Sequence, residues 1–271
     1  PLFSRDVFSY YMQGKLQLAG YNPYDSGVAL VAGWFQSGVD PLWGEAPTPY
    51  GPAFLFIEKV VAFLSGNSAL LGAFIFRLIA IFGVVVLVVA IPFLARQHGI
   101  SDVSALWLGA MNPLIIMHFV AGGHNDSLMV ALVVLSLVFG LKHRWVLAAL
   151  LATIALAIIV LPFLAYISAA SSWLSRIRQG IKIGTVSAIT LLSMSYFAGV
   201  GPFGWLNALS TPGTVKSWLS PFTALGLFSG SFVQLLGFNN QQDHFVEISR
   251  QIGSIIMAIT LMYLILKPEG R

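Results

Sequence analysis

An all-α, polytopic transmembrane helical bundle is predicted by three observations. Of the 271 residues, 57% are hydrophobic and only 9% are charged, against about a quarter charged in an ordinary soluble domain. The mean hydropathy is +0.84, so apolar side chains must face lipid, because too few charges remain to cover a surface in water. The apolar residues also gather into runs near the ~20 residues that a helix needs to cross a bilayer. In lipid the backbone must close its own hydrogen bonds, and a helix does so.

Residues 1–52 differ from the rest. They hold Arg5, Asp6, Lys15, Asp25, Asp40 and Glu45, many aromatics, and the turns Asn22-Pro23-Tyr24 and Pro47-Thr48-Pro49-Tyr50-Gly51-Pro52. This reads as a long, structured outer loop at an interface. The segment 53–66 is short and carries Glu58 beside Lys59, so it reads as a juxtamembrane helix along the outer interface. An ordinary short span is the alternative, and would move every later loop to the other side. Spans are expected at 69–95, 103–120, 127–141, 145–173, 181–199, 223–238 and 252–267. The third is short and is accommodated by tilt; the fourth is broken near Pro162. The chain reads as a single domain, 1–271, cut from something longer at both ends. It opens at Pro1 in loop-like sequence with no signal peptide and stops after an apolar run at Lys267-Pro268-Glu269-Gly270-Arg271.

Short loops rich in Lys and Arg face the cytoplasm. That rule assigns Arg96, Lys142, Arg144, Arg176, Arg178 and Lys182 to the inside, provided that 145–173 goes up, breaks and returns. The other face then receives 1–52, 121–126 and 200–222, with Arg5, Lys15 and Lys216.

Composition also excludes. No cysteine means no disulfide, thiolate metal site or Cys nucleophile. The net charge of +4 is small and no basic run is long enough for nucleic acid. No Walker loop, HExxH helix or Gly-x-Ser-x-Gly is found, so a nucleotide-sugar donor is not expected. Without a carboxylate cluster, neither a metal nor another cofactor is expected.

Three polar constellations fall on the outer side. The first is Ser4-Arg5-Asp6-Val7-Phe8-Ser9-Tyr10-Tyr11-Met12-Gln13-Gly14. A carboxylate among aromatics at a membrane edge has its proton affinity tuned by burial and by cations. It suits proton removal from a sugar hydroxyl, with aromatic faces to stack on sugar rings. Equally, Asp6 reads as a cap for a helix starting near Val7. The second is Ala121-Gly122-Gly123-His124-Asn125-Asp126-Ser127, where two glycines permit a tight turn. Asn125 or Asp126 is expected to cap the following helix, yet two titratable groups at the edge of hydrocarbon exceed what capping needs. The third is Phe203-Gly204-Trp205-Leu206-Asn207-Ala208-Leu209-Ser210-Thr211-Pro212-Gly213, followed by Lys216-Ser217-Trp218-Leu219-Ser220-Pro221. Trp205 and Trp218 fit an interfacial belt, and Lys216 fits a phosphate or a lipid headgroup. Arg77 lies about two turns into a span, either snorkelling outward or clamping the phosphate of a lipid-linked donor with its planar fork.

These residues resemble a family. Arg5-Asp6-Val7-Phe8-Ser9-Tyr10, Gln13-Gly14, Gly20-Tyr21-Asn22-Pro23-Tyr24, Trp43 and Pro47–Pro52 are similar to the first outer loop of the actinobacterial polyprenol-phosphate-mannose-dependent α-(1→6) mannosyltransferases, members of the GT-C superfamily. Gly122–Asp126 resembles their second outer motif. Leu209–Gly213 with Trp218–Pro221 resembles a third. The likeness runs from about residue 3 to 265.

The resemblance implies a bundle of GT-C type in the cell membrane of the cell envelope, with its active site on the non-cytoplasmic face. Asp6 would be the catalytic base and 1–66 the catalytic loop with its juxtamembrane helix. The donor would be polyprenyl-phosphate mannose and the acceptor a lipid-linked mannan such as lipomannan, in an inverting transfer. Arg77, Lys216 and His124 would bind the donor phosphate. Arg5, Tyr10, Tyr11, Gln13, Tyr24, Tyr50, Asn125, Asp126, Trp205 and Trp218 would meet the sugar or acceptor. The sequence departs from the pattern twice. The family has a span before its catalytic loop, and a Gly/Lys-containing stretch where Ala155-Leu156-Ala157-Ile158-Ile159-Val160 stands here. A transporter or flippase for a lipid-linked sugar would place polar groups at the midplane on broken, repeated helices; no repeat is seen and the polar groups gather on one face. A noncatalytic scaffold has no use for an Asp beside a Tyr-rich loop.

Overall fold

In the computed structural model the first helix, α1 (Asp6–Leu18), begins with an acidic residue and carries Lys15 in its last turn, both matched to the helix dipole. The structure describes residues 4–155, 173–208, 216, 218, 220–238 and 241–266, and every regular element among them is helical. Ten residues of α1 are buried, so it has no solvent face to mark with charge. It packs on α2 (Pro52–Ser65), which starts with Pro at its first turn. A Cβ at Gly14 would lie 2.1 Å from the Glu58 carbonyl oxygen, so only glycine lets the two backbones touch. The segment between them folds through two 3₁₀ turns, Val28–Leu30 and Pro41–Trp43; Asp40 Oδ1 accepts from the Leu42 N–H at 3.0 Å to start the second.

The long helix α3 (Ala69–Gln97) is capped by Ser68, whose Oγ accepts from the Leu71 N–H at 3.2 Å. It is followed by α4 (Asp102–Gly109) and α5 (Pro113–Ala121), bent by 41° to one another. Asn112 and Pro113 cause the break: proline cannot continue the preceding ladder, and Asn112 Oδ1 caps α5 through the Ile115 N–H at 3.1 Å. The end of α5, Ile116–Ala121, is wound as a π-helix, a local form common at functional sites. Next come α6 (Asp126–Leu141), α7 (Trp145–Ile154) and α8 (Trp173–Ala198).

Small and hydroxyl residues join these helices. Gly83 lets α3 meet the start of α6, where a Cβ would fall 2.7 Å from the Leu128 nitrogen. Ser136 Oγ donates to the Ala148 carbonyl at 2.8 Å and Thr153 Oγ1 to Ser187 Oγ at 2.9 Å, tying α6 to α7 and α7 to α8. Lys59 Nζ donates to the Ala198 carbonyl at 3.4 Å, closing α2 on the end of α8. Arg96 and Lys142 both lie over the Phe93 ring, at 5.7 and 4.9 Å, at the end of α3 remote from α1. At the other end Lys15 Nζ donates to the Gly66 carbonyl at 3.3 Å.

Residues 212–271 form a separate compact unit. Its helices, α9 (Pro221–Leu235) and α10 (Gln242–Leu266), run antiparallel. Cβ atoms at Gly226 and Gly230 would fall 2.4 Å from Val246 Cα and 2.6 Å from Gln242 Cα.

Among the described residues two helices are long and apolar enough to cross a membrane, α3 and the Ile177–Ala198 part of α8, with a third if the bent pair α4–α5 is one span. The described residues are thus helical and fit for a membrane, and among them fewer full-length spans are found than the seven expected. The expected spans at 127–141 and 145–173 meet helices of 16 and 10 residues among the described residues. The break at Pro162 lies outside the described residues, as does the stretch after Ala155. Helix α8 begins at Trp173 rather than 181, so Arg178 and Lys182 are on it rather than in a preceding loop. Helix α10 begins at Gln242 rather than 252.

Candidate active site

Asp6 is the first residue of α1, yet its carboxylate caps nothing in that helix. Oδ2 instead receives His124 Nδ1 at 3.0 Å, with both side chains half-buried. The turn that delivers His124 requires its glycines. Gly123 has φ +68°, and a Cβ there would lie 2.5 Å from Val7 Cγ1 of α1. A Cβ at Gly122 would lie 2.4 Å from the His118 carbonyl oxygen and 2.6 Å from His124 Cδ2. Gly122→Ala is therefore expected to push the imidazole off Asp6 and to destabilise the fold by about 1–3 kcal/mol. An unchanged melting temperature would show that the turn tolerates the methyl group.

The hydrogen bond that His124 donates to Asp6 holds the imidazole above its ordinary pKa, against the opposing effect of burial. Neither Asn125 nor Asp126 makes a side-chain cap for α6. Asn125 Oδ1 accepts from the Tyr10 hydroxyl at 3.4 Å. Tyr10 in turn meets Tyr50 edge to face at 5.2 Å. Burial, helped by the nearby Asp6 charge, pushes both phenols far up, so both stay neutral donors. Below them a cleft of about 160 Å³ opens, lined by Tyr50 and Asn125 at its polar side and by Phe54, Ile57, Leu128 and Leu132.

Arg77 reaches this turn from α3. One terminal nitrogen donates to the Ala121 carbonyl at 3.2 Å, while its buried Nε has no hydrogen-bond partner. Arg5 is exposed beside Asp6. Asp126 is half-buried on the first turn of α6. His118, which nothing in the sequence singled out, stacks on His124 with ring centroids 4.3 Å apart and planes 19° apart. Among the described residues, His118, His124 and Asp126 are the one group of three metal-ligating side chains whose ligand atoms fall within 4.8 Å of one another.

Three residues expected to meet sugar serve the interior instead. The Tyr11 hydroxyl donates to the Gly66 carbonyl at 2.7 Å, with its ring against Gly72. The Tyr24 hydroxyl donates to the Tyr50 carbonyl at 3.0 Å, and a Cβ at Gly204 would touch its ring at 2.3 Å. Gln13 is buried; turned so that all its partners are satisfied, its amide nitrogen donates to Thr48 Oγ1 at 2.8 Å and to the Glu58 carboxyl at 3.1 and 3.3 Å. The reason is that α1 is covered on every side, which an outer-loop reading does not foresee. Trp205 packs with Tyr24, Leu55 and Ala198, and its Nε1 donates to the Pro202 carbonyl at 3.0 Å. Lys216 and Trp218 belong to the other unit, where Lys216 pairs with Asp243 and Trp218 is exposed. Residues 209–215 of the third motif lie outside the described residues.

Glu58 is fully buried, and desolvation raises its carboxyl well above the ordinary value of 4.5. A raised folded-state pKa means that this contribution to stability is complete below about pH 4.5 and is lost as the pH rises toward the folded value. Glu58→Gln, neutral at every pH, is expected to melt higher than the parent at pH 8, by about 2–4 °C for each kcal/mol relieved, and to match it near pH 4. Parallel melting curves across that range would show that Glu58 does not titrate with folding.

An acid–imidazole pair thus sits beside an apolar cleft's Asn125 on a helical chain with membrane-length helices, an arrangement suited to deprotonating a hydroxyl at a membrane. The chain belongs to the MptA_B family: the family model described as alpha-(1->6)-mannopyranosyltransferase, N-terminal domain, matches residues 1–175. It is 34% identical to alpha-(1->6)-mannopyranosyltransferase A of Mycobacterium tuberculosis over 96% of this chain and 53% of that protein. A second M. tuberculosis protein of the same description is 32% identical over 98% of this chain and 55% of its own length. Alpha-(1->6)-mannopyranosyltransferase A of Corynebacterium glutamicum is 37% identical over 62% of this chain and 35% of its own length. The chain thus spans about half the length of the curated relatives that match nearly all of it. No solved structure matches it.

Proposed function

We propose that this chain carries the catalytic part of an inverting mannosyltransferase that moves mannose from polyprenyl-phosphate mannose to a lipid-linked mannan, forming α-(1→6) links. It works as a multi-pass GT-C bundle in the cell membrane, with its site on the non-cytoplasmic face. The observation that carries this reading is the Asp6 carboxylate held 3.0 Å from His124, whose chain neighbour Asn125 lines an apolar cleft. Asp6 removes the proton from the acceptor 6-hydroxyl. The oxygen attacks the anomeric carbon from the face opposite the phosphate, and the C–O bond to phosphate breaks with its electron pair leaving on the lipid phosphate. A β-linked donor thereby yields an α product.

Each neighbour has a matching task. The His124 N–H orients the carboxylate and adds positive character beside the departing phosphate. Arg77 brings further positive charge to it, and fixed charge aimed at a developing anion is a large part of such catalysis. Tyr50, a neutral phenol, with Arg5, Asn125, Asp126 and Trp205, holds the sugars, while the buried Tyr10 hydroxyl fixes Asn125. The apolar wall of Phe54, Ile57, Leu128 and Leu132 suits the first isoprenes of the donor.

The test is transfer from radiolabelled polyprenyl-phosphate mannose to a short α-(1→6) mannoside by the purified protein in detergent. The expected product is the mannoside longer by one α-linked residue, formed at an essentially unchanged rate with EDTA present. Label that crosses a reconstituted bilayer without entering the mannoside would replace this reading by a flippase. Loss of transfer in EDTA, restored by added metal, would overturn the metal-free chemistry.

A further inference from the structure

We propose that His118, His124 and Asp126 form a binding site for a divalent transition-metal ion of the zinc class, with Asp6 as the carboxylate that orients one of its imidazoles. The ion is structural and takes no part in transfer, so the site stands or falls separately from the reaction and is compatible with transfer that persists in EDTA. Its three side chains come from two elements and the turn between them: His118 from the π-wound end of α5, His124 from the glycine turn, and Asp126 from the first turn of α6. One ligand atom of each already lies within 4.8 Å of the others.

His124 is set up as such a ligand. Its Nδ1 faces Asp6 Oδ2 at 3.0 Å, which places the ring hydrogen on Nδ1 and leaves the Nε2 lone pair for a metal. A carboxylate bound to the far nitrogen of an imidazole is the usual partner of a metal-ligating histidine, because it fixes both tautomer and ring orientation. The wall behind the ring is equally specific: Nε2 lies 3.0 Å from where a Cβ at Gly122 would stand. The His118 ring is held nearly parallel to that of His124, although no step of the transfer calls on it.

Ligand atoms around a four-coordinate zinc stand about 3.3 Å apart, for bonds of about 2.0 Å. Closing from 4.8 Å or less takes small side-chain rotations, and His118 is the exposed member of the three. Three protein ligands leave the fourth position to water. Two imidazoles and one carboxylate favour zinc, cobalt or nickel over magnesium and calcium, which prefer an all-oxygen shell. An ion there joins the end of α5 to the head of α6 and stabilises the folded protein by mass action.

The experiment is calorimetric titration of the full-length, chelator-washed protein in detergent with zinc chloride and, separately, with magnesium chloride. Thermal melts and zinc-edge X-ray absorption accompany it. One zinc per chain is expected, with no heat from magnesium, a higher melting temperature, and two imidazoles in the absorption spectrum. His118→Ala, at an exposed position, should fold normally, weaken zinc at least tenfold and lose one imidazole from the shell. Asp126→Asn should weaken zinc similarly, and His98→Ala should leave it unchanged. No zinc heat, equal binding by magnesium, or zinc affinity within twofold of the parent in His118→Ala would each overturn the site.

Discussion

Asp6→Asn is expected to lower mannosyl transfer by about 10²–10⁴-fold, the usual contribution of a positioned general base. The amide keeps the size of the carboxylate and an oxygen to accept from His124 Nδ1, which stands 3.0 Å from Oδ2 in the parent. Only basicity is removed. Because α1 is buried by Val7, Tyr10, Tyr11 and Leu16 rather than by its first residue, the variant should elute and melt like the parent. Binding of donor and acceptor should survive, so the loss falls on kcat. A variant that transfers mannose within about tenfold of the parent would lie below the range for a general base and would remove Asp6 from that role.

Arg77→Ala carries the second large effect. The guanidinium gives one N–H to Ala121 and keeps a buried, unpartnered Nε on the side of the same turn. A charge-assisted hydrogen bond to a phosphate contributes about 1.5–3 kcal/mol, so the KM for polyprenyl-phosphate mannose should rise by roughly 10- to 150-fold. The KM for the mannoside should change much less. Arg77→Lys should recover only part of the loss, since an ammonium cannot reproduce the planar fork. Equal losses for both substrates would mean that Arg77 acts only through the Ala121 carbonyl, by holding the turn.

Much of the helical framework was legible from hydropathy. The run at 69–95 became Ala69–Gln97 and that at 127–141 became Asp126–Leu141, because a continuous apolar stretch has few other ways to satisfy its backbone. Helix starts that carry charge were not legible. Arg178 and Lys182 on α8, and Asp243, Glu247 and Arg250 on α10, lowered the local hydropathy while the backbone was already helical. The meeting of Asp6 with His124 has no local signature at all. It is a contact between the start of α1 and the turn that joins α5 to α6, and the reading of Asp6 as a cap was as good until the carboxylate was seen to point elsewhere. Spacing also hid His118, because the π-winding of Ile116–Ala121 shifts its register away from that of a regular helix. The inward bonding of Tyr11, Gln13 and Tyr24 was not legible for one reason. Aromatic and amide groups beside a candidate base look like sugar contacts, and nothing in a helix without an apolar stripe tells which of its sides are already covered.

The enclosure of α1 bears on how this family can diversify. With ten of its residues walled in, the helix that presents Asp6 is as intolerant of exchange as the middle of a soluble core. If Asp6 is the base proposed above, new acceptor preferences would arise at the rim, through Arg5 and the irregular stretch from Gly27 to Tyr50, while the base stays where it is. A library confined to that rim should yield altered chain-length selection with few dead clones, whereas randomising Val7 to Leu16 should yield almost none that assemble.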